Sequence, residues 1–169
     1  MKAVLVVRHA KSSWENFGVP DFDRPLNERG KTDGPEMAKR LLSKKIAIDT
    51  FISSPAKRAK KTAALFAAEY HIEKEQIVLV PELYHASSET FYETIAKAPD
   101  ASGNIALFSH NPGITDFVNG LTHIKIDNMP TCSVFAVKAD IPSWKDFKKA
   151  EKQFWFYDYP KSTLVRDRG

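Results

Sequence analysis

Arg8 and His9 follow directly on the apolar run Ala3-Val4-Leu5-Val6-Val7, so one buried strand delivers a guanidinium and an imidazole to the same spot. A guanidinium matches phosphate oxygens bidentately, and a neutral imidazole is a nucleophile. Taken alone, an Arg-His pair is an ordinary charged strand end. Here the pattern repeats. Thr50-Phe51-Ile52-Ser53 reads as a second strand, with Ser54 as the N-cap and Pro55 as the first residue of a helix that carries Arg58 in its first turn. Free N–H groups at a helix start favour anions. A third apolar run, Ile105-Ala106-Leu107-Phe108-Ser109, ends in His110-Asn111-Pro112-Gly113. Ligands of open α/β sheets sit at the C-terminal ends of strands, so two arginines and two histidines at three such ends make one candidate phosphate site.

The elements that must position these residues alternate between strand-like and helical, which predicts an α/β layer architecture. Asn27 is a good N-cap, and after it Met37, Ala38, Leu41 and Leu42 form an apolar stripe at helical spacing. Gly30 and Gly34 lie in that helix despite their low propensity, which points to close approach by a neighbour. Ala59, Ala63, Phe66 and Tyr70 form a second stripe. Further strands are predicted at 77–80, 133–137 and 154–157, and further helices near 88–98 and 112–121. Between Trp14 and Pro25 the turn residues Asn16, Gly18 and Pro20 predict a loop beside the first strand end. Lys11, Ser12, Trp14 and Arg24 are therefore candidates for secondary phosphate or protein contacts, as is Asn111 beside His110. No repeat, linker or low-complexity segment interrupts the 169 residues, and a single domain over 1–169 is expected.

Three segments together resemble the histidine phosphatase superfamily: Arg8-His9-Ala10, Ser54-Pro55-Ala56-Lys57-Arg58-Ala59-Lys60-Lys61-Thr62-Ala63, and Ser109-His110-Asn111-Pro112-Gly113. Arg8 to Trp14, Asp21-Phe22-Asp23-Arg24-Pro25-Leu26-Asn27-Glu28-Arg29-Gly30, Pro81-Glu82-Leu83-Tyr84 and Pro160-Lys161 are similar to its small SixA-like branch of phosphohistidine phosphatases. The resemblance implies a three-layer sandwich, a mostly parallel central sheet flanked by helices. It also implies that His9 attacks phosphorus, that Arg8, Arg58 and His110 hold the phosphoryl oxygens, and that water hydrolyses the phosphohistidine formed on His9. Neighbouring cations disfavour an imidazolium, which keeps such a nucleophile unprotonated. Departures from the pattern bear on the substrate. Ala10 replaces the usual Gly, Lys61 stands for a common Gln, and Asn16 is one place late. In mutase-like members a Glu general acid follows a Leu-Arg pair, whereas this chain has Leu83-Tyr84-His85, leaving His85 in the acid's place with Glu82 and Glu89 as alternatives. An alkoxide leaving group needs a proton, but imidazole leaves phosphohistidine far more readily. The branch also lacks the helical insertions that cap the pocket of larger relatives, which would admit a phosphorylated side chain of a folded protein.

Other chemistries fit less well. The five histidines do not fall with Cys or carboxylates at metal-ligand spacing, so neither metal nor cofactor is expected. His71 and His123 read as solvated or structural. Cys132, the single Cys, has Lys138 rather than Arg at the position a cysteine-phosphatase loop needs, and reads as a small buried residue. No run approaches the roughly 20 apolar residues of a membrane span, and Met1-Lys2 leads straight into the first strand, so a cytoplasmic monomer is expected. A net charge of +4 suits anionic substrates, while the dispersal of the cations among acids argues against nucleic acid. The leading expectation is metal-independent hydrolysis of phosphohistidine in signal transduction, with a His phosphotransfer domain as partner. A phosphatase of small phosphate esters or sugar phosphates, and a phosphate-binding module without turnover, are the alternatives.

Overall fold

The computed structural model describes residues 1–15 and 17–161. Asn16 lies outside the described residues. Ten principal elements follow one another: β1 (Lys2–Arg8), α1 (Glu28–Ser43), β2 (Thr50–Ser53), α2 (Lys57–Glu69), β3 (Val78–Leu79), α3 (Ser88–Ala96), β4 (Asn104–Ser109), α4 (Gly113–Asn119), β5 (Val134–Ala139) and β6 (Gln153–Asp158). The strands form one sheet in the order β3-β2-β4-β1-β5-β6. β1, β2, β3 and β4 pair in parallel, and β5 runs antiparallel to its neighbours β1 and β6.

Strict alternation along the central strands builds a core on each face. Val4, Val6, Ile105 and Leu107 pack against Phe91 and Ile95 of α3 and Ile114 and Phe117 of α4. Leu5, Val7, Ala106 and Phe108 face the other way, onto Met37 and Leu41 of α1 and Phe66 of α2. Because both faces are covered, β1 reads as an unbroken apolar run rather than an alternating one. The three-layer α/β sandwich is thus the observed architecture.

Strand order also locates the site. β1 leads to α1 on one face and its neighbour β4 leads to α4 on the other, which opens a crevice between their C-terminal ends. Register makes the ends level, since Arg8 pairs with Ser109 and Ser53 with Phe108.

Several sequence expectations need correction. α2 starts at Lys57, not Pro55, and Ala56 occupies the cap position without a side-chain cap. Ser54 is held elsewhere, as described below. β3 is only two residues long, at one edge of the sheet, and pairs with β2 alone. Leu42 is exposed, so the α1 stripe consists of Met37, Ala38 and Leu41. Within the loop between Trp14 and Pro25, Asp21–Asp23 forms a 3₁₀ turn. Asn27 does cap α1, accepting from the Gly30 N–H at 2.9 Å.

The two helix glycines are close-approach positions as expected. A Cβ on Gly30 would stand 2.2 Å from the Lys11 carbonyl oxygen, and one on Gly34 would stand 2.9 Å from Leu65 Cδ1. Gly30 faces backbone that is anchored by the Asn27 N–H donating to the same Lys11 oxygen, so it cannot yield cheaply. Gly30→Ala should lower stability by about 1–3 kcal/mol, the usual range for overpacking. A denaturant midpoint unchanged from wild type would show that the contact relaxes.

Candidate active site

At the end of β1 the backbone is pinned on both sides: His9 N–H donates to Ser109 O at 3.1 Å and Cys132 N–H to the carbonyls of Arg8 and His9 at 3.0 Å. Cys132 itself is buried with a positive φ of 62°. One hydroxyl then ties this strand end to α2, for Thr62 Oγ1 accepts from Ala10 N–H at 2.9 Å and donates to Arg58 O at 2.7 Å. His9 is buried, and its Nδ1 lies 2.7 Å from Ala10 O. A carbonyl only accepts, so Nδ1 carries the proton and Nε2 keeps its lone pair. Burial pushes the His9 pKa down to about 3, with Arg58, Arg8 and Arg24 adding to the effect. The imidazole is neutral over the physiological range.

His110 stands on the neighbouring strand end with its ring centroid 5.2 Å from that of His9. Its Nε2 is 2.7 Å from Ser54 Oγ, which also accepts from the Ala56 N–H at 3.2 Å. Ser54 is buried, and among the described residues Nε2 is the one acceptor within reach of its hydroxyl proton, so Ser54 donates to Nε2 and Nδ1 is the N–H side of the ring. Burial again holds the imidazole neutral, helped by His9 and Arg58. Ser54, anticipated as a helix cap, is therefore a positioning residue for His110.

Buried polar atoms are nearly always paired. Among the described residues, three buried side-chain nitrogens have no partner: Arg8 Nε, Arg58 Nε and His110 Nδ1. All three belong to the group picked out from the sequence. Arg8 is held by Nη1 on Met129 O at 2.7 Å, and its guanidinium feels that of Arg58, which lowers its pKa after burial. Cations that repel one another beside unpaired N–H groups form a site for an anion with several oxygens.

Asp21 is the functional neighbour that sequence reading missed. Its carbonyl accepts from Arg58 Nη1 at 2.7 Å, and its Oδ2 from Arg58 Nη2 at 3.0 Å and Tyr84 OH at 2.5 Å, while Oδ1 accepts from Arg24 Nε at 3.1 Å. The Tyr84 hydroxyl, then Arg58 and Arg24, hold this carboxyl far below the ordinary range. Asp21 thus fixes one edge of the Arg58 guanidinium and leaves the Nε side free. Its only sequence signal was its place in the Asp21-Phe22-Asp23-Arg24-Pro25 segment.

The remaining candidates fall in different places. Arg24 is buried and braces the loop, donating to Ser12 Oγ at 2.8 Å and Ser13 O at 3.1 Å and stacking 3.5 Å from the Trp14 ring. Lys11 is exposed and lines a separate cavity of about 220 Å³ with Arg29, Asp33 and Lys161. Asn111 is committed to the protein: its amide donates to Asn128 Oδ1 at 2.7 Å and its oxygen accepts from Thr115 at 2.5 Å. His85 does line the pocket of about 290 Å³ that His110 borders, and its ring lies 4.1 Å from that of Tyr84. Glu82 instead lines a cavity with Thr50 and Ile52, and Glu89 pairs with Lys148 at 2.7 Å. Asp116, exposed on α4, is the carboxylate at the rim of the His110 pocket. His71 and His123 are exposed, the former just past α2 with a φ of 59°. Among the described residues, no three His, Cys, Asp or Glu side chains gather as a metal site, and no helix is long and apolar enough to cross a membrane.

Known proteins share this arrangement of elements. A structure from Agrobacterium tumefaciens, provisionally assigned as the phosphohistidine phosphatase SixA, superposes with a TM-score of 0.78 at 25% identity, over 94% of this chain and 98% of that one. The protein histidine phosphatase SixA complexed with tungstate gives 0.78 at 20% identity, over 94% and 97%. By sequence, the chain is 27% identical over 154 residues to an uncharacterized chloroplastic protein of Arabidopsis thaliana, covering 86% of this chain and 70% of that one. The profile of the histidine phosphatase superfamily (branch 1) matches residues 4–101, which take in the Arg8-His9 strand end and the Arg58 turn. With more than half of its length matched to that profile and its sheet laid out as in the SixA structures, the chain belongs to the histidine phosphatase superfamily.

Proposed function

We propose that the protein is a metal-independent phosphohistidine phosphatase of the SixA type, acting on a phosphorylated protein such as a His phosphotransfer domain. The observation that carries this reading is the free Nε2 lone pair of His9 among three unpartnered donors. In the first step Nε2 attacks phosphorus in line, the N–P bond of the substrate breaks, and the departing imidazole takes a proton from solvent. Arg8, Arg58 and His110 bind the three phosphoryl oxygens, where charge neutralisation and positioning are most of what phosphoryl transfer requires. In the second step water attacks the phosphohistidine on His9, releasing phosphate and restoring the neutral imidazole. Asp21 and Ser54 orient Arg58 and His110 respectively.

The choice of substrate rests on the leaving group. Glu82 and Glu89 are directed away from the pocket, which leaves His85 and, at the rim, Asp116 as the groups there that can carry a proton. With no glutamate at the donor position, the site suits a leaving group that departs with little help, in a cytoplasmic signalling setting. The presence of His85 in the pocket wall favours one second reading, a small-ester phosphatase with His85 as its acid.

Turnover of a phosphohistidine peptide, an activated aryl phosphate and an alkyl phosphate separates the two. The first two should be hydrolysed and the third about 10²–10⁴-fold more slowly, the range that general acid help normally supplies. His85→Ala should leave the phosphohistidine rate nearly unchanged. Efficient alkyl phosphate turnover that disappears in His85→Ala would establish the second reading instead.

A further inference from the structure

The start of α2 carries more positive charge than the phosphate site explains. Lys57, Arg58, Lys60 and Lys61 lie within its first five residues, and its first turn has no acid. Cations at a helix N-terminus are unfavourable, because they face the positive end of the helix dipole. Arg58 is buried at the catalytic crevice. Lys57, Lys60 and Lys61 are exposed and, with Ala64, occupy one helical face at i, i+3, i+4 and i+7. That face forms one wall of a groove of about 730 Å³, within the size range of ligand sites. Lys31 of α1 and Lys74, in the turn before β3, extend the positive lining to five lysines against a single acid, Asp23. Among the described residues, only Lys31 of the five has an ion-pair partner, Glu28 at 3.5 Å.

Beneath the ammonium groups the groove is apolar. Phe22 and Leu79 are 38% and 44% exposed there, beside Pro55 and Ile77. Two of the groove's lining residues adjoin residues of the phosphate site. Phe22 follows Asp21, the residue that grips Arg58, and packs edge-on against Tyr84 at 5.1 Å, while Lys57 adjoins Arg58 in sequence.

Resting on the phosphoprotein reading above, we propose that this groove docks an acidic segment of the substrate protein next to its phosphorylated histidine. Carboxylates of that segment meet Lys57, Lys60, Lys61 and Lys74, and an apolar side chain lies on Phe22 and Leu79. The composition favours a peptide over nucleic acid. The lining has no arginine for bidentate phosphate contacts, and one phenylalanine is a poor stacking platform for successive bases. Spread point charges over an apolar floor suit a segment that alternates Asp or Glu with Leu or Val.

The test uses two phosphohistidine peptides, one flanked by Glu and Leu and the other by Lys and Leu, with phosphoramidate as the small substrate. Wild type should favour the acidic peptide about tenfold in kcat/KM, chiefly through KM, with the preference shrinking as salt rises. A variant carrying Lys60→Glu, Lys61→Glu and Lys74→Glu should lose or invert it while phosphoramidate turnover stays within about twofold. Lys60, Lys61 and Lys74 are exposed, where substitutions change stability little, so this variant should fold as well as wild type. Equal kcat/KM for both peptides in wild type, or a preference that survives in the variant, would overturn the proposal. If alkyl phosphates are turned over and neither peptide is, the phosphoprotein reading falls. Fluorescence anisotropy of the unphosphorylated acidic peptide then decides the groove by itself: binding to wild type and not to the variant supports docking, and no binding refutes it. Tighter binding of a single-stranded oligonucleotide than of the acidic peptide would also overturn it.

Discussion

His9→Ala should abolish turnover, by on the order of 10⁴-fold or more, and remove the phosphoenzyme that rapid acid-free quenching traps in wild type. Among the described residues, the imidazole that stands beside His9, that of His110, has its Nε2 engaged by Ser54 and its Nδ1 as the donor side. Radiolabel on the wild-type protein should be acid-labile and base-stable. Label that persists in His9→Ala would move the nucleophile elsewhere.

The same residue sets an unusual pH dependence. With its pKa held down to about 3 by burial and neighbouring guanidinium groups, His9 stays a nucleophile far below pH 6.5. The kcat/KM profile should therefore show no acid limb from this residue between pH 5 and pH 7, where a solvent-exposed histidine would titrate, at about 6.5. Stability responds in the opposite sense. The unfolded chain takes up a proton on His9 near pH 6.5 and the folded one only near 3, so the stabilising share of neutral burial is present above 6.5 and is lost as pH falls toward 3. His9→Ala should flatten that part of the stability curve. An acid limb near 6.5 in wild-type kcat/KM, absent with an aryl phosphate of different leaving group, would assign the titration to substrate rather than enzyme.

What could be read beforehand follows from how local each signal is. Arg8, His9 and His110 stand at the ends of apolar runs, and an apolar run reports its own strand. Parallel pairing at level register then brings those ends together with no further information needed. Gly30 and Gly34 were legible because glycine in a helix is unfavourable unless something lies close. Asp21 was not, because its meaning depends on Arg58, 37 residues later, and on Tyr84, 63 residues later, and a carboxylate in a loop has no periodicity to mark it. Ser54 was misread for a related reason. A serine before Pro55 looks like a helix cap, and only the position of His110 shows that its hydroxyl serves a ring 56 residues away. Glu82 and His85 are three residues apart, yet the 3₁₀ turn Pro81–His85 sends them to different cavities.

Arg58→Ala should lower kcat/KM by about 3–4 kcal/mol, comparable with removing one preorganised oxyanion donor. The size follows from the environment. Arg58 is buried, its Nε is without a protein partner, and its other two nitrogens are held by Asp21, so the guanidinium presents a fixed edge and loses little freedom when the phosphoryl group arrives. Arg58→Lys should recover little, since a single ammonium cannot keep both the Asp21 contacts and a second donor toward phosphate. Asp21→Asn should fall between wild type and Arg58→Ala: the backbone carbonyl of residue 21 still accepts from Nη1, but Nη2 loses its charged partner and the guanidinium gains freedom. Exhaustive chelation should leave wild-type activity intact if Arg8, Arg58 and His110 neutralise the phosphoryl oxygens by themselves. Activity that chelation abolishes and a divalent cation restores would refute that division of labour, and an Arg58→Ala enzyme within about threefold of wild type, less than 1 kcal/mol by the usual conversion, would show that Arg8 and His110 suffice.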